Sequence, residues 1–344
     1  MTLAIDLCER GLVPDPVMRF GMRRLMSARL RAETADRGEA QFEQYRQRLE
    51  ELRGSRIAIE TDKANEQHYE VPAEFFEQVL GRHMKYSACY WDPGVDDLDT
   101  AEARMLALTT ERAELADGQR VLELGCGWGA LTLWMAARFP VSQITAVSNS
   151  ASQREFIMAW AGARGLDNVR VITADANDFD TDQRFDRVVS VEMFEHMRNY
   201  ASLMERIAGW LEPDGKLFVH IFCHRDLMYP FTNAGRYDWM AEHFFTGGLM
   251  PAERTLLHFQ DELRLEDQWR VSGRHYERTC NAWLARLDGN RVRVTAALEP
   301  VHGATETERW VNRWRMFFIA CAELFGYRNG TEWLVAHYRF AKSG

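Results

Sequence analysis

From about residue 100 the chain alternates short apolar, β-branched runs with longer helical segments. This alternation is typical of a parallel sheet with helices on its faces, because strands buried on both sides are apolar almost throughout. We predict strands over residues 120–125, 143–148, 169–175, 185–191, 215–222, 262–272 and 332–340. The pattern therefore predicts an α/β fold.

Two other stretches depart from this alternation. Residues 1–65 have the pattern of helices, and we predict that they form an N-terminal helical cap before a core over residues 66–224. Residues 225–258 are helical and aromatic and interrupt the alternation, so we interpret them as an inserted lid. Residues 259–344 return to the core with a long amphipathic helix and complete the predicted pocket.

Composition narrows the class of protein. The 344 residues include 42 Lys plus Arg against 51 Asp plus Glu, and a net charge of −9 argues against nucleic acid as a partner. Six scattered cysteines without a CxxC pair indicate neither a disulfide framework nor a metal site, so we predict a reducing, cytoplasmic location. No apolar run is long enough to cross a bilayer, and the first residues lack the basic start of a signal peptide.

One segment is locally basic. Residues 16–31 contain five arginines, no acids, and apolar side chains near helical spacing. We expect this helix to pack on the rest of the protein with its arginines solvated. Peripheral contact with an anionic membrane is the alternative interpretation.

A glycine-rich turn follows the first strand. In ELGCGWGAL, residues 123–131, Gly125, Gly127 and Gly129 stand where backbone must approach a ligand or take a positive φ. A nicotinamide or flavin site would need an acidic residue about 20 positions on, and the second strand ends in VSNSASQ, without an acid. With Glu123 before the first glycine, the turn resembles the first motif of class I methyltransferases that bind S-adenosylmethionine.

The resemblance extends along the chain. The segment QHYEVPAEFFEQVLGRHMKYSACYWD, residues 67–92, is similar to the N-terminal signature of the cyclopropane fatty acid synthase superfamily. Within that superfamily the chain resembles most the plant coclaurine-type N-methyltransferases, through GLVPDPVMRF, MKYSACYW, SVEMFEHMRNY, HFFTGGLMPA, GRHYERT and FFIACAELFGYRNGTEW. This resemblance implies a class I methyltransferase, Rossmann-like fold with a seven-stranded doubly wound sheet, and a homodimer.

The resemblance also implies a set of cofactor-binding residues. Tyr86 and Ser87 would contact the methionyl part of S-adenosylmethionine, Glu123 its ammonium end, Ser148 and Gln153 the ribose, and Asn177 the adenine. Gly125, Gly127, Trp128 and Gly129 would line the same cleft.

Acid–base capacity is concentrated after the fourth strand. The stretch VVSVEMFEHMRNY, residues 188–200, carries Glu192, Glu195 and His196. If a helix begins just past the strand, these three lie on one face at the edge where such sheets bind ligands. Methyl transfer needs a neutral nucleophile, so we expect His196 to act as general base, with Glu195 orienting it and Glu192 steering a cationic amine.

The methyl acceptor stays open between an amine and an alkene. In cyclopropane synthases a bound bicarbonate removes a proton, and a cysteine, a glutamate, a histidine and a tyrosine hold it. Glu195, His220 and Tyr276 match the last three, whereas Ala88 stands at the cysteine position. This departure and the second acid, Glu192, favour the N-methyltransferase pattern.

Aromatic side chains favour a flat, cationic or hydrophobic substrate. We predict a substrate pocket that includes His220, Tyr276, Phe318, Phe325, Tyr327 and Trp333. Lid aromatics are candidates for further walls: Phe231, Tyr237, Trp239, Phe244 and Phe245. The predicted function is S-adenosylmethionine-dependent N-methylation of a small secondary or tertiary, tetrahydroisoquinoline-like amine. The alternative is a cyclopropane synthase or C-methyltransferase acting on unsaturated acyl phospholipid.

Overall fold

The computed structural model describes residues 3–34, 38–59, 71–231 and 239–342. A seven-stranded sheet in the order β3-β2-β1-β4-β5-β9-β8 forms its centre. These strands are β1 (Arg120–Leu124), β2 (Gln143–Ser148), β3 (Val169–Thr173), β4 (Phe185–Val191), β5 (Leu211–His224), β8 (Leu263–Val271) and β9 (Trp333–Lys342). Two short strands, β6 (Tyr229–Pro230) and β7 (Leu249–Met250), pair separately.

The sheet is mixed in direction. Strands β1 to β5 pair in parallel, and β9 runs antiparallel to both β5 and β8. The carboxyl ends of β1, β2, β4 and β5 therefore lie at one edge, where open α/β sheets bind their ligands. All seven predicted strands are present, with ends that differ by a few residues.

Twelve helices are found in the described part of the chain. They are α1 (Leu3–Glu9), α2 (Asp15–Glu33), α3 (Glu39–Gly54), α4 (Ala73–Val79), α5 (Leu98–Arg112), α6 (Ala130–Arg138), α7 (Ala151–Ala163), α8 (Tyr200–Trp210), α9 (Trp239–His243), α10 (Gly273–Gly289), α11 (Arg291–His302) and α12 (Thr307–Gly326). The side chains of Asp97, Ser150 and Asn199 cap α5, α7 and α8 by accepting from the backbone N–H three residues on. These caps fix where helices begin next to the ligand edge.

Helices cover both faces of the sheet, as a doubly wound fold requires. Leu106 of α5 and Ile157 of α7 belong to the apolar layer on one face. Leu49 of α3 and Ile207 of α8 belong to the layer on the other. A third apolar cluster, built largely from α4 and α10 to α12, lies across the ligand edge from the strands.

The basic segment forms α2, which packs against α12. Arg19 and Arg23, with side chains 24% and 51% exposed, donate to the two carboxylate oxygens of Glu323 at 2.8 and 2.6 Å. Val17 and Phe20 lie on the outer face and are more than half exposed. Packing on the protein is thus confirmed. The expectation of solvated arginines is wrong for Arg19, whereas Arg23 is ion-paired but half exposed. No helix in the described ranges is long and apolar enough to span a membrane.

The N-terminal helices do not share one layer. Helices α1 and α2 pack against α12, whereas α3 packs against α8 on the far side of the sheet. The boundary predicted after residue 65 falls within residues 60–70, which lie outside the described residues, as do residues 67–70 of the N-terminal signature. The proposed lid contains β6, α9 and β7, and its residues 232–238, including Tyr237, are also outside. The domain limits therefore stay predictions.

Candidate active site

The turn between β1 and α6 opens onto the ligand edge of the sheet. Gly125, Gly127 and Gly129 have φ values of +77°, +51° and +80°, in the left-handed region that favours glycine. A Cβ on Gly125 would lie 2.6 Å from Met193, and one on Gly129 would lie 2.6 Å from Ile157. A Cβ on Gly127 would meet no atom of the described residues within 4 Å, because Gly127 borders open space. The turn is thus a cradle whose backbone is accessible to a ligand.

Two adjoining cavities meet at this cradle. The larger has a volume of about 1330 Å³ and the smaller about 850 Å³, both counted with their openings to solvent. The residues that line both are Gly125, Gly127, Gln153, Met193 and His196. The cavities are therefore two parts of one cleft, and His196 stands where they join.

The smaller cavity combines apolar walls with a polar pair. Ser148, at the end of β2, donates its hydroxyl hydrogen to Oε1 of Gln153 at 2.7 Å. Both residues line the cavity, together with the apolar side chains of Ile59 and Phe179. This arrangement suits a flat nucleoside whose hydroxyl groups need polar partners.

Asn177 is not among the residues that line either cavity. Its amide oxygen accepts from the backbone N–H of Ala58 at 3.0 Å, and its amide nitrogen donates to the carbonyl of Ala58 at 3.2 Å. Ala58 does line the smaller cavity. The Asn177 side chain holds the backbone of Ala58 in place, and its predicted contact with the adenine stays a prediction.

The larger cavity begins at residues predicted for the cofactor. Tyr86, Ser87, Glu123 and Trp128 all line it. The Thr132 hydroxyl donates to Oε2 of Glu123 at 2.5 Å, and burial raises the pKa of Glu123 to about 8. A carboxyl group in this state ionises readily when a cation is brought beside it.

The segment after β4 differs from the predicted helix. Glu192 has a φ of +48°, and only a single 3₁₀ turn, Phe194–His196, follows it. Helix α8 begins later, at Tyr200, where Asn199 supplies the cap. The predicted placement of Glu192, Glu195 and His196 on one helical face is therefore wrong, because the left-handed backbone at Glu192 turns its side chain away.

Three groups hold the Glu192 carboxylate by hydrogen bonds. Oε1 accepts from the backbone N–H of Ala88 at 2.9 Å and pairs with Nε2 of His220 at 3.1 Å. Oε2 accepts from the Tyr276 hydroxyl at 2.6 Å. Burial raises the pKa of Glu192, and the Lys85 ammonium group and the hydrogen bonds from Ala88 and Tyr276 act against that rise. Both oxygens of the carboxyl group are thus fixed in position.

Glu195 and His196 point to different neighbours. Glu195 is buried, and its Oε1 accepts from the backbone N–H of Phe222 at 2.8 Å. Its Oε2 has no hydrogen-bond partner among the described residues, and burial together with the Glu192 charge raises its pKa well above the usual value. The imidazole of His196 stacks on Phe245 at 6.0 Å between ring centres. The predicted support of His196 by Glu195 is not among the described contacts.

Helix α12 supplies one wall of the larger cavity. Phe317, Cys321 and Leu324 line it at the spacing i, i+4 and i+7, and Phe325 lies 4.2 Å from the Tyr276 ring in a stacked pair. Phe325 and Tyr276 both line the cavity. Phe318 does not, because one residue turns its side chain by about 100° around the helix and buries it in the core.

Three other predicted pocket residues lie outside the cavity lining. Trp333 is fully buried and donates its Nε1–H to the Tyr229 hydroxyl at 2.9 Å. Tyr327 packs against Trp333 at 5.7 Å between ring centres. His220 is fully buried behind Glu192 and reaches the cavity only through that carboxylate.

Several lining residues were not singled out from the sequence. They are Lys85, Met193, Phe222, Met240, Trp283 and Phe317. Phe222 could have been found from the sequence. It lies two residues after the predicted pocket residue His220 on one strand, and alternate residues of a strand face the same side. Of the lid aromatics, Phe231 and Phe245 line the cavity, whereas Trp239 and Phe244 are buried in the core.

Comparison with known proteins agrees with this geometry. A family model described as mycolic acid cyclopropane synthetase matches residues 58–332. The chain belongs to this family. It is 39% identical over 338 residues to (S)-coclaurine N-methyltransferase of Thalictrum flavum subsp. glaucum, covering 97% of this chain and 94% of that protein. It is 30% identical over 280 residues to cyclopropane-fatty-acyl-phospholipid synthase of Escherichia coli (strain K12), covering 81% of this chain and 68% of that protein.

A solved relative extends the comparison to the fold. The crystal structure of coclaurine N-methyltransferase bound to N-methylheliamine and SAH matches with a TM-score of 0.94 and 37% identity, over 98% of each chain. The predicted class I methyltransferase fold is confirmed. This chain is an S-adenosylmethionine-dependent methyltransferase.

Proposed function

We propose that this methyltransferase N-methylates a small secondary or tertiary amine of the tetrahydroisoquinoline type. One observation carries the proposal: the Glu192 carboxylate is hydrogen-bonded to Ala88, His220 and Tyr276 beside the larger cavity. A fixed anion at this place attracts an ammonium substrate. The similarity to alkaloid N-methyltransferases along nearly the whole chain supports the same conclusion.

The same observation argues against the alkene reaction. Bicarbonate in a cyclopropane synthase would require the donors at His220 and Tyr276, which the resemblance assigns to it. In this chain both donors are bound to the carboxylate of Glu192. A planar carboxylate has the size and charge of bicarbonate, so the chain's own side chain takes the place of the free ion.

The cleft has room and partners for S-adenosylmethionine, which supplies an electrophilic methyl group on its sulfonium. Ser148 and Gln153 would bind the ribose, and Glu123 would lie near the methionyl ammonium group. Gly125 and Gly127 let the backbone approach closely. Met193 and His196, which line both cavities, would then stand between the ribose of the cofactor and the part of the larger cavity where the acceptor binds.

The chain's residues must present a neutral nitrogen. An alkylamine with a pKa of about 9–10 is mostly protonated at pH 7, and exposing its lone pair costs about 3–4 kcal/mol. We infer that Glu192 binds the ammonium form and that His196 accepts the proton as the amine docks. Glu195 accepts from the backbone N–H of Phe222 and so fixes the position of Phe222, which forms part of the cavity wall.

Aromatic side chains around the acceptor favour a flat cation. Phe222, Phe231, Phe245, Phe325 and Tyr276 line the larger cavity from different elements. Ring faces attract an ammonium group and stack on an aromatic amine. The walls and the carboxylate together select an amine that is both cationic and aromatic.

The test is methyl transfer from labelled S-adenosylmethionine to two acceptor pools. One pool holds benzylisoquinoline-type amines, and the other holds unsaturated phospholipid vesicles, each with and without added bicarbonate. We expect label in the amines at the same rate in both bicarbonate conditions. The His196→Ala variant should bind the cofactor normally and lose most of its turnover. Label in lipid that depends on bicarbonate would overturn the proposal.

The remaining predictions concern partners and location. A homodimer, peripheral membrane contact and a cytoplasmic location stay predictions. The described cysteines are all free thiols, and five of the six are buried. This is compatible with a reducing compartment.

A further inference from the structure

A line of hydrogen bonds continues behind Glu192 into the sheet. His220 on β5 contacts Oε1 of Glu192 through Nε2 at 3.1 Å, and its Nδ1 contacts Nε2 of His337 at 3.0 Å. His337, on β9, contacts Nη1 of Arg112 through its own Nδ1 at 2.8 Å. Both imidazoles are fully buried, whereas Arg112, at the end of α5, is half-buried. The line thus runs from the edge of the protein to the active site.

Arg112 determines the direction of every hydrogen bond in this line. A guanidinium group is always protonated in proteins and only donates. Nδ1 of His337 must therefore accept, which leaves the single proton of a neutral imidazole on Nε2. That proton is donated to Nδ1 of His220, whose own proton is then on Nε2 and faces Glu192. Burial lowers the pKa of both histidines well below the usual value, so each carries one proton.

We propose that Arg112 and His337 are positioning residues that hold His220 as a hydrogen-bond donor and so keep Glu192 an ionised acceptor for the amine. The inference rests on the proposed function of Glu192. Neither Arg112 nor His337 lines the cavity, so both act through His220.

The reversed arrangement shows what Arg112 prevents. A protonated Glu192 could donate to Nε2 of His220, which would donate from Nδ1 to Nε2 of His337. His337 would then carry its proton on Nδ1. That proton would face the Arg112 guanidinium, donor against donor. Without Arg112 this conflict disappears, and the buried carboxyl can take up a proton that cancels its attraction for an ammonium group.

Other titratable groups among the described residues also face Glu192. They are Lys85, Cys89, Glu195, His196, Tyr276 and Cys280. All of them remain when Arg112 is replaced. A change seen in an Arg112 variant therefore reports on the hydrogen-bond line and not on these neighbours.

The first experiment reads the tautomers directly, without substrate. Protein labelled with ¹⁵N-histidine is examined by long-range ¹H–¹⁵N correlation, and His220→Gln and His337→Gln variants assign the two signals. We expect both histidines to carry the proton on Nε2. In Arg112→Met we expect a population with Nδ1 protonated. A proton on Nδ1 of either histidine in the unaltered protein would overturn the proposal.

The second experiment measures kcat/KM against pH with whichever acceptor the protein methylates. Protonated Glu192 binds the ammonium form poorly, so activity falls on the acid side. In Arg112→Met we expect this acid limb to move up by about one pH unit, with kcat/KM recovering to near the unaltered value above it. Arg112→Lys keeps a cationic donor and should move the limb less.

Arg187→Met is the matched control. Arg187 is half-buried at the same side of the sheet and donates to the carbonyls of Ala113 and Glu114, outside the line to Glu192. We expect it to lose stability without moving the acid limb. An equal drop of kcat/KM at every pH in Arg112→Met would mean a structural role only and would overturn the inference. If no amine is methylated but both histidines carry the proton on Nε2, only the proposed function fails. If an amine is methylated but a histidine carries the proton on Nδ1, only the role of Arg112 and His337 fails.

Discussion

Glu192 shows how one backbone angle can set up a site. A non-glycine residue at a φ of +48° is strained by about 1–2 kcal/mol. The strain persists because the carboxylate finds Ala88, His220 and Tyr276, which a helical conformation would not reach. Function and strain therefore coincide at the same residue.

Replacing Glu192 by glycine should remove the carboxylate and relieve the backbone strain. We expect kcat/KM for an amine to fall about 100-fold or more, because the ammonium group loses its buried partner. The donors of Ala88, His220 and Tyr276 then surround a space of carboxylate size. Added formate or bicarbonate should bind there and restore part of the activity. Steady-state kinetics across a concentration series of each anion checks this.

Glu192→Ala serves as the matched variant. It also loses the carboxylate but keeps a Cβ in the left-handed region, so its melting temperature should lie below that of Glu192→Gly. Absence of anion rescue in both variants would show that the three donors do not form an anion site once the side chain is gone.

At the level of elements, periodicity located the strands and the long helix but not the faces that line the cleft. The seven strands follow from apolar runs, since each is buried by neighbours that the alternation itself implies. On α12, however, Phe317 and Phe318 are equally apolar, and only the crossing of the helix over the sheet decides which one faces the cavity. The turn at Glu192 likewise depends on partners from β5 and α10, distant in sequence.

Two adjacent lid residues test the difference between a side chain that faces the cavity and one that faces the core. Phe245 lines the cavity against His196, whereas Phe244 is fully buried and stacks on Phe317 at 4.3 Å between ring centres. We expect Phe245→Leu to raise KM for an aromatic amine about 2–10-fold, because one wall loses its ring. Phe244→Leu should lower the melting temperature by about 2–5 °C with a smaller effect on KM.

The comparison needs both quantities for both variants. Calorimetry gives the melting temperatures, and initial rates give KM and kcat. A larger KM change in Phe244→Leu than in Phe245→Leu would contradict this. It would mean that the packing of Phe244 in the core, and not the Phe245 ring that lines the cavity, determines amine binding.

Across the whole molecule, ion pairs connect the N-terminal helices α1 and α2 to α12, near the other end of the chain. Glu9 of α1 is fully buried and accepts from Arg309 at 2.7 Å and from Arg313 at 3.1 Å, both on α12. Glu323, further along α12, accepts from Arg19 and Arg23 of α2. Helix α12 carries the cavity wall on another face, so these ion pairs fix the helix that shapes the pocket.

Removing the shared acceptor should therefore loosen α2 and the pocket together. In Glu323→Ala, Arg19 and Arg23 lose their shared carboxylate, and Arg19 keeps only its hydrogen bond to Asn281 among the described contacts. Because Glu323 is nearly buried, we expect a loss of about 1–3 kcal/mol in the free energy of unfolding. We also expect faster hydrogen exchange over residues 15–33 and a higher KM for the amine.

The matched control is Glu50→Ala on α3, whose pairing with Arg53 at 3.0 Å is exposed on both sides. Such a surface pair contributes about 0–1 kcal/mol, so this variant should behave almost like the unaltered protein. Equal stability losses in the two variants would contradict a structural role for the Glu323 pairs. The pairing of Arg19 and Arg23 with Glu323 would then no longer weigh against docking of α2 on an anionic surface. Binding to anionic vesicles would become the measurement that separates the two roles of this helix.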